Sequence, residues 1–324
     1  MLPIKLTWDA PIKREMKQVE EELRKSVCSE EHLLTDICMH VISAGGKRIR
    51  PGIALLAYKA VNGKEMDKFI GIAASFELIH SASLIHDDIN DAGEIRRGKV
   101  AAYKKFGVQK ALVAGDFLFV RSFRLGGAWD KRVVEIISDA CTATAESEML
   151  QSAHDFDVKT SRKVYIKVIE GKTAKPIEAA ALVGAYLGKA TEEQARALGD
   201  YGLNLGLAFQ IIDDVLDIDG NEKELGKPKG IDLTDGKSTL PLILAMNDPE
   251  VGKRISKIFV KREKSQKEVK EALSLILRTD AIQTSRRAAQ GYSEKANAAL
   301  AVLPDSPYKK SLKELARVVV SRRT

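Results

Sequence analysis

Residues 69–91 of the chain read FIGIAASFELIHSASLIHDDIND, and residues 195–217 read ARALGDYGLNLGLAFQIIDDVLD. In both stretches apolar residues recur at steps of three and four, which predicts helices. Both stretches end in the pattern Asp-Asp-x-x-Asp. The segment Val133–Ala153 has the same periodicity, proline is sparse, and Ala, Leu, Glu and Lys are abundant over the whole chain. We therefore predict an all-α fold.

The chain has 324 residues and is predicted to form a single domain over residues 1–324. No Ser/Gly/Pro-rich linker or low-complexity run divides it. Hydrophobic residues make up 44% of the sequence and charged residues 30%, which is enough apolar material for a sizeable core. Breaks between helices are predicted at Gly45-Gly46, Asn62-Gly63, Gly126-Gly127, Gly226–Gly230 and Asp248-Pro249.

The cysteines and the apolar pattern predict a location in the cytoplasm. The three cysteines, Cys28, Cys38 and Cys141, include no CxxC pair, which disfavours a disulfide framework or a zinc site. The first residues lack the apolar core of a signal peptide, and no run of 18 apolar residues predicts a membrane span. The net charge of +7 fits nucleic acid, an anionic membrane surface and phosphorylated substrates equally well.

Two aspartate clusters are predicted to bind a metal ion. They are Asp87, Asp88 and Asp91 in the first cluster and Asp213, Asp214 and Asp217 in the second. Positions i and i+4 share one face of a helix, so each cluster places three carboxylates within about one turn. Such charges repel, above all at a helix C-terminus, and magnesium relieves that repulsion with oxygen ligands. One cluster alone would read equally well as a solvated helix end, but two of identical spacing favour a metal site.

Cationic residues beside glycines supply the charges that a phosphate group requires. Lys47 and Arg50 lie three residues apart, so a helix would turn both toward one diphosphate. The other such residues are Arg96 and Arg97, Lys172 after Gly171, Lys227 after Gly226, and Lys237 after Gly236. Taken singly, each is most often a solvated surface charge. No P-loop glycine precedes Lys172 and no aromatic platform is visible, so neither a nucleotide nor a nucleic acid is the predicted partner.

In their order along the chain, the motifs resemble the trans-type polyprenyl (isoprenyl) diphosphate synthases. They are GGKRIRP, ELIHSASLIHDDIND, RRG, GKT, FQIIDDVLD, GKPKGIDL and GKSTLPL, and they span nearly the whole chain. The resemblance implies a large helical bundle of the isoprenoid synthase type with a central cavity, assembled as a homodimer. It also implies magnesium-dependent, head-to-tail condensation of isopentenyl diphosphate with an allylic diphosphate, which gives an all-trans polyprenyl diphosphate.

The resemblance implies roles for individual residues as well. The two aspartate clusters would hold about three magnesium ions on the allylic diphosphate. The cations implied to contact that diphosphate are Arg96, Lys172 and Lys227, with Lys237 nearby. The residues implied to bind isopentenyl diphosphate are Lys47, Arg50, His80 and Arg97. Thr173 and Gln210 match positions near the reacting carbons.

Residues one to three turns before Asp87 are predicted to set the product length. Helical stacking places Ser83, Ile79 and Phe76 below Asp87 at steps of about 5 Å, comparable to one isoprene unit, with Ala82 flanking them. Family members that make C15 products resemble each other in carrying bulky aromatic residues at the positions of Ala82 and Ser83. The small pair here predicts a product of C20 or longer, with C30–C40 favoured and Phe76 as a lower constraint.

The alternatives are a geranylgeranyl or farnesyl diphosphate synthase, a terpene cyclase, and a non-catalytic subunit of a heteromeric synthase. Cyclases usually replace the second Asp-Asp-x-x-Asp motif and lack the GGKRxRP segment, and non-catalytic subunits lose aspartates. Both motifs are complete here, which favours a catalytic synthase. Transient membrane contact during product release is also compatible with the basic end Ser321-Arg322-Arg323.

Overall fold

A computed structural model of the chain describes residues 8–126, 131–221 and 228–322, and helices dominate this part of the chain. The helices are α1 Lys13–Ser26, α2 His32–Ile42, α3 Ile49–Ala60, α4 Met66–Asn90, α5 Ala102–Phe106, α6 Val108–Gly126, α7 Lys131–Ser152, α8 Arg162–Ile169, α9 Lys175–Leu187, α10 Glu192–Asp219, α11 Ile231–Asp235, α12 Leu240–Met246, α13 Gly252–Phe259, α14 Gln266–Ile276, α15 Ala281–Ala299 and α16 Pro307–Ser321. Short 3₁₀ turns occur at Ala10–Ile12 and Leu300–Val302, and a π-helical turn occurs at Glu170–Ala174. The all-α prediction is confirmed.

A small β-hairpin follows α4. Strand β1, Ile95–Arg96, pairs antiparallel with β2, Lys99–Val100, and Arg96 lies opposite Lys99. The two turn residues, Arg97 and Gly98, both have positive φ, at 51° and 75°. This backbone twist matches that of the flanking strands and is the usual solution for a two-residue hairpin turn. The sequence did not reveal the hairpin because two-residue strands leave no alternation to detect.

The chain packs as two compact units. The first consists of Met1–Ser138, Ala179–Leu198 and Val302–Leu312, and the second of Asp139–Glu178, Gly199–Ala301 and Lys313–Thr324. The prediction of a single domain over residues 1–324 stays a prediction.

Helix α4 is the core helix of the first unit and packs against α1, α3 and α6. It is apolar on nearly all sides, which is typical of a helix enclosed by others. By length and hydropathy α4 would also be able to cross a membrane, but 67% of its most apolar window is buried inside the protein. The sequence shows no apolar run of 18 residues here because Glu77, His80 and Asp87 interrupt the helix.

Helix α3 is fixed in the first unit by close packing on two sides. Gly184 of α9 lies so near α3 that an added Cβ would come within 2.5 Å of the Ala54 carbonyl oxygen. Tyr58 of α3 stacks on Phe69 of α4, with ring centroids 4.2 Å apart, a contact that contributes about 1 kcal/mol beyond the area it buries. These contacts set the direction of α3, whose first turn carries Arg50.

In the second unit, two glycines of α10 allow this helix to pack closely against the N-terminal end of α9 and the residue that precedes it. Gly206 faces the backbone of Ala174, and an added Cβ on Gly202 would lie 2.7 Å from the Cα of Glu178. A core cluster that includes Tyr165, Ile211 and Ile212 lies farther along α10. This packing fixes the part of α10 that carries the second aspartate cluster.

Candidate active site

The first aspartate cluster lies at the C-terminal end of α4. Asp88 is 4% exposed and is paired with Arg96 from the hairpin, whose Nε and Nη2 lie 2.8 and 2.6 Å from Asp88 Oδ1. Asp87 is partly buried, whereas Asp91, the C-terminal capping residue, is exposed. Burial raises the pKa of Asp88, and the carboxylates of Asp87 and Asp91 raise it further. Arg96 therefore lies within reach of the first cluster, as predicted, and balances one of its buried charges.

The hairpin also places Arg97 against the glycine-rich turn before α3. Its guanidinium donates to the Gly45 carbonyl oxygen, and Nη2 lies 3.4 Å from Nε2 of His80. Gly46 (φ 142°) is required for this approach, since an added Cβ would lie 2.7 Å from the Arg97 guanidinium. The structure thus brings Arg97, His80 and the turn that carries Lys47 to one place in the first unit.

His80 is surrounded by positive charge. Burial lowers its pKa well below the ordinary value of 6.5, and Arg50 and Arg97 lower the pKa further. The imidazole is consequently neutral near pH 7, and it contributes hydrogen-bonding nitrogens rather than charge. Lys47 is exposed on the neighbouring turn. The four residues predicted for isopentenyl diphosphate therefore combine fixed cations with one neutral polar ring.

The second aspartate cluster is organised by a chain of hydrogen bonds within the second unit. Thr173 Oγ1 donates to Gln210 Oε1 at 2.7 Å, and Gln210 Nε2 donates to Asp214 Oδ1 at 2.8 Å. The Tyr165 hydroxyl donates to the other Asp214 oxygen at 2.6 Å. Burial raises the pKa of Asp214 to about 7, and the neighbouring carboxylates of Asp213 and Asp217 add to that effect. Thr173 and Gln210 are thus joined to the cluster by hydrogen bonds, and their position near the reacting carbons stays a prediction.

The other two aspartates of this cluster have different surroundings. Asp213 is paired with Arg322 near the C-terminus, whose Nη1 lies 3.2 Å from Oδ1 and whose guanidinium carbon is 5.1 Å from the Phe209 ring centroid. Asp217 is 2% exposed, and its carboxylate accepts the backbone N–H groups of Ile231 and Asp232 at 3.3 and 3.2 Å. The third aspartate therefore also anchors the segment that carries Lys237.

Lys172 lies on the π-helical turn Glu170–Ala174. Turns of this kind are rare and occur often at functional sites. The Lys172 ammonium is 2.5 Å from Glu148 Oε1 and 3.3 Å from Gln151 Oε1, so its position is fixed by side chains of α7. Lys237 lies 3.8 Å from Asp235, and Lys227 lies outside the described residues.

The donor set fits magnesium. Among the described residues, no three His, Cys, Asp or Glu side chains are close enough together to hold an ion by themselves. Magnesium is usually bound by one or two carboxylates together with phosphate oxygens and water, so a complete cage of protein ligands is not required. Asp214 is a buried carboxylate beside two others, an arrangement that a cation stabilises.

The residues predicted to set product length lie along α4 before Asp87. Ile79 and Ser83 are partly exposed, whereas Ala82 (2% exposed) and Phe76 (4% exposed) are enclosed by protein atoms. The Ser83 hydroxyl donates to the His80 carbonyl oxygen at 2.9 Å. Their role in chain length stays a prediction.

The comparison with known proteins settles the family. A family model described as Polyprenyl synthetase matches residues 31–276. The chain belongs to the polyprenyl synthetase family. Membership of this family makes the chain a prenyltransferase with the all-α isoprenoid synthase fold.

Individual members of the polyprenyl synthetase family resemble the chain over most of its length. Octaprenyl diphosphate synthase of Escherichia coli (strain K12) is 37% identical over 312 residues, which are 95% of this chain and 96% of that protein. Geranylgeranyl diphosphate synthase of Methanosarcina mazei is 36% identical over 293 residues, 87% of this chain and 88% of that protein. The crystal structure of polyprenyl synthase from Caulobacter crescentus CB15, complexed with calcium and isoprenyl diphosphate, has a TM-score of 0.94 and 36% identity, and the match covers 99% of this chain and 100% of that one.

Sequence reasoning missed several residues at these sites in the polyprenyl synthetase chain. Tyr165 contacts Asp214 from 49 positions away, and Glu148 contacts Lys172 from another helix. Arg48 stands inside a recognised motif, but the sequence does not show that its side chain turns inward toward Glu77. A charged residue such as Glu77 in the middle of an otherwise apolar helix was the one available signal.

Proposed function

We propose that the chain is a magnesium-dependent polyprenyl diphosphate synthase, which condenses isopentenyl diphosphate with an allylic diphosphate and produces an all-trans polyprenyl diphosphate of C20 or longer. The proposal is supported by two kinds of site suited to a diphosphate, which occur together in a member of this family. One kind consists of carboxylates suited to magnesium, with Arg96 paired to Asp88 and with Lys172 as a further cation that the family resemblance implies. The other consists of Lys47, Arg50 and Arg97 around the neutral His80.

The chemistry begins with loss of diphosphate from the allylic substrate. The aspartates would hold magnesium, whose positive charge would stabilise the departing diphosphate. Arg96 and Lys172 direct further positive charge to the same group, which matters most as the C–O bond breaks. Apolar helix walls exclude water from the allylic cation. The double bond of isopentenyl diphosphate then attacks, and the lost proton passes to the released diphosphate.

Turnover by the purified chain alone tests this proposal. A synthase consumes isopentenyl diphosphate in the presence of magnesium and an allylic primer. A terpene cyclase would release diphosphate from the allylic substrate without consuming isopentenyl diphosphate. A non-catalytic subunit would do neither.

We propose C30–C40 as the favoured product range, with geranylgeranyl diphosphate as the alternative. The small residues Ala82 and Ser83 before the first cluster support a long product, and relatives that share about the same identity carry both octaprenyl and geranylgeranyl names. Thin-layer chromatography of products made from radiolabelled isopentenyl diphosphate measures the length. Farnesyl diphosphate as the only product would overturn the proposal.

Replacing Ala82 with phenylalanine is expected to shorten the product by one or more isoprene units without stopping turnover. The added ring extends roughly one helical turn, about 5 Å, which is comparable to one unit. Product chromatography of Ala82→Phe against the parent protein gives the answer, and Ala60→Phe in α3, at a buried alanine away from the predicted tunnel, controls for general overpacking. An unchanged product length in an active Ala82→Phe variant would contradict the predicted direction of the tunnel.

We also propose that the enzyme is a cytoplasmic homodimer that contacts its partner through α6. An exposed apolar face on this helix supports the proposal: Val108, Leu112, Val113, Val120 and Phe123 are between 37% and 65% exposed. A face of this kind is typical of an interface between subunits. The cysteines Cys28, Cys38 and Cys141 are all unpaired, as a reducing compartment favours.

Sedimentation equilibrium is expected to give about twice the chain mass of 35.6 kDa. Val120→Glu places a charge at the most exposed of these apolar positions and is expected to shift the mass toward the monomer value. Val302→Glu changes an exposed valine outside α6 and leaves the mass unchanged. A monomeric parent protein, or a dimer that tolerates Val120→Glu, would refute this interface.

A further inference from the structure

Glu77 is a buried carboxylate at the start of the ELIHSASLIHDDIND motif, and the resemblance assigns it no role. It lies on α4, and its side chain is 2% exposed. A buried carboxylate requires a cationic partner, because removing its charge from water is costly. Glu77 Oε1 lies 2.7 Å from Nη1 of Arg48 and 3.9 Å from Nη1 of Arg97. The same carboxylate therefore faces two arginines that come from different segments of the first unit.

Arg48 connects Glu77 to the glycine-rich turn. Its side chain is 5% exposed, and its guanidinium also donates to the carbonyl oxygens of Ile42, at 2.9 Å, and Gly45, at 3.3 Å. Glu20 of α1 accepts a further hydrogen bond at 2.5 Å. The Arg48 backbone is left-handed, with φ of 49°, a conformation that a non-glycine residue adopts only where its surroundings enforce it.

Arg97 is held at the opposite side of the same turn. Its backbone is left-handed as well, and its side chain donates to Gly45 and approaches His80. Arg48 and Arg96 repel its charge, whereas Glu77 attracts it. Without the carboxylate, Arg48 and Arg97 would repel each other and would lose the buried counter-charge that they share.

We propose that Glu77 is a positioning residue, whose buried carboxylate holds Arg48 and Arg97 so that the Gly45–Arg48 turn and Arg97 form a preorganised site for the diphosphate of isopentenyl diphosphate. The inference rests on the proposed function, because it takes isopentenyl diphosphate as the ligand of Lys47, Arg50, His80 and Arg97. Glu77 itself touches no substrate. It acts through the two arginines, as outer-shell partners do for metal ligands.

Glu77→Gln tests the proposal because the amide keeps the shape of the side chain and removes its charge. The KM for isopentenyl diphosphate is expected to rise at least roughly tenfold, by analogy with the loss of outer-shell partners. The KM for the allylic primer and kcat are expected to stay within about threefold. Glu20→Gln is the matched control, since Glu20 contacts Arg48 but not Arg97, and it is expected to have a clearly smaller effect.

A direct binding measurement separates positioning from stability. Titration calorimetry with isopentenyl diphosphate, without magnesium or primer, reports on this site independently of turnover. If Glu77→Gln folds poorly by circular dichroism, the double variant Arg48→Met, Glu77→Gln removes both buried charges and leaves neither member of the pair unpaired. If the double variant folds and its affinity for isopentenyl diphosphate is lower than that of the parent protein, the proposal is supported.

Three results would overturn the proposal, or the function on which it rests. Unchanged isopentenyl diphosphate binding in a folded Glu77 variant would refute the positioning role. An equal rise in KM for both substrates would indicate general damage and would refute it too. Failure of the parent protein itself to bind or consume isopentenyl diphosphate would instead refute the proposed function.

Discussion

Asp214→Asn is expected to lower kcat by about a thousandfold, the scale of loss when a preorganised electrostatic group is removed. Asp214 is the buried carboxylate through which the second cluster contacts Tyr165 and Gln210, which hold its two oxygens at 2.6 and 2.8 Å. Asparagine retains the size of the side chain and loses the charge that we propose binds magnesium. Single-turnover formation of prenyl product measures the effect.

The control is Asp219→Asn, which makes the same change five residues farther along α10. Asp219 is exposed and pairs with Arg286 at 3.1 Å, outside the Asp-Asp-x-x-Asp pattern. We expect this variant to retain activity within about twofold, because exposed ion pairs contribute little. A loss below tenfold in Asp214→Asn, or equal losses in the two variants, would show that the charge of Asp214 is not required.

Asp214→Asn is also expected to change the pH dependence of stability in the metal-free protein. Burial raises the pKa of Asp214 to about 7, above the ordinary value of 3.8 for an aspartate, so the folded state favours the protonated form. The stability from this group is complete below pH 3.8 and is lost as the pH rises through 7. Thermal unfolding of metal-free Asp214→Asn is therefore expected to lack that loss. If the unfolding temperature of Asp214→Asn decreased more toward pH 8 than that of the parent protein, the raised pKa of Asp214 would be contradicted.

Lys172→Met is expected to lower kcat/KM for the allylic primer by about a hundredfold or more, since it removes one cation that we propose stabilises the departing diphosphate. Methionine has a similar length and keeps the apolar stem. The π-helical turn and Glu148 fix the position of the ammonium group in the parent protein. Initial rates at varied primer concentration measure the loss.

Two controls isolate the charge of Lys172. Lys175→Met makes the same change three residues later, where the lysine pairs with Glu178 at 2.7 Å, and activity is expected to change by less than about threefold. Glu148→Gln weakens the support for Lys172 but keeps its charge, so an intermediate effect is expected. If Lys172→Met resembled Lys175→Met, the implied contact with the allylic diphosphate would be wrong.

The parts of the fold and site that the sequence predicted are those carried by local patterns. The three- and four-residue periodicity predicted helices that cover both Asp-Asp-x-x-Asp segments, and α4 and α10 do carry them. Helical spacing alone also placed Asp87 and Asp91 on one face. The family followed from the order of short motifs, and the family model confirms that identification.

The parts that the sequence did not predict depend on distant partners. Asp217 read as one more carboxylate of a repeated pattern, yet its environment is set by backbone N–H groups of residues 231 and 232. Tyr165 belongs to no short pattern, and the motif that begins at Glu77 does not reveal its partner. The partners of Tyr165 and Glu77 lie 49 and 29 positions away. Such contacts depend on tertiary packing, so only the three-dimensional structure reveals them.

Consumption of isopentenyl diphosphate by the purified protein is the decisive test of whether this chain condenses two prenyl diphosphate substrates with the help of magnesium. Radiolabelled isopentenyl diphosphate is supplied with geranyl, farnesyl or geranylgeranyl diphosphate as primer, first with magnesium, then with excess chelator, then with magnesium restored. We expect label to enter a polyprenyl diphosphate of C20 or longer with magnesium, to stop entering it with chelator, and to resume when the metal returns. Absence of incorporation with every primer in the presence of magnesium would contradict the account.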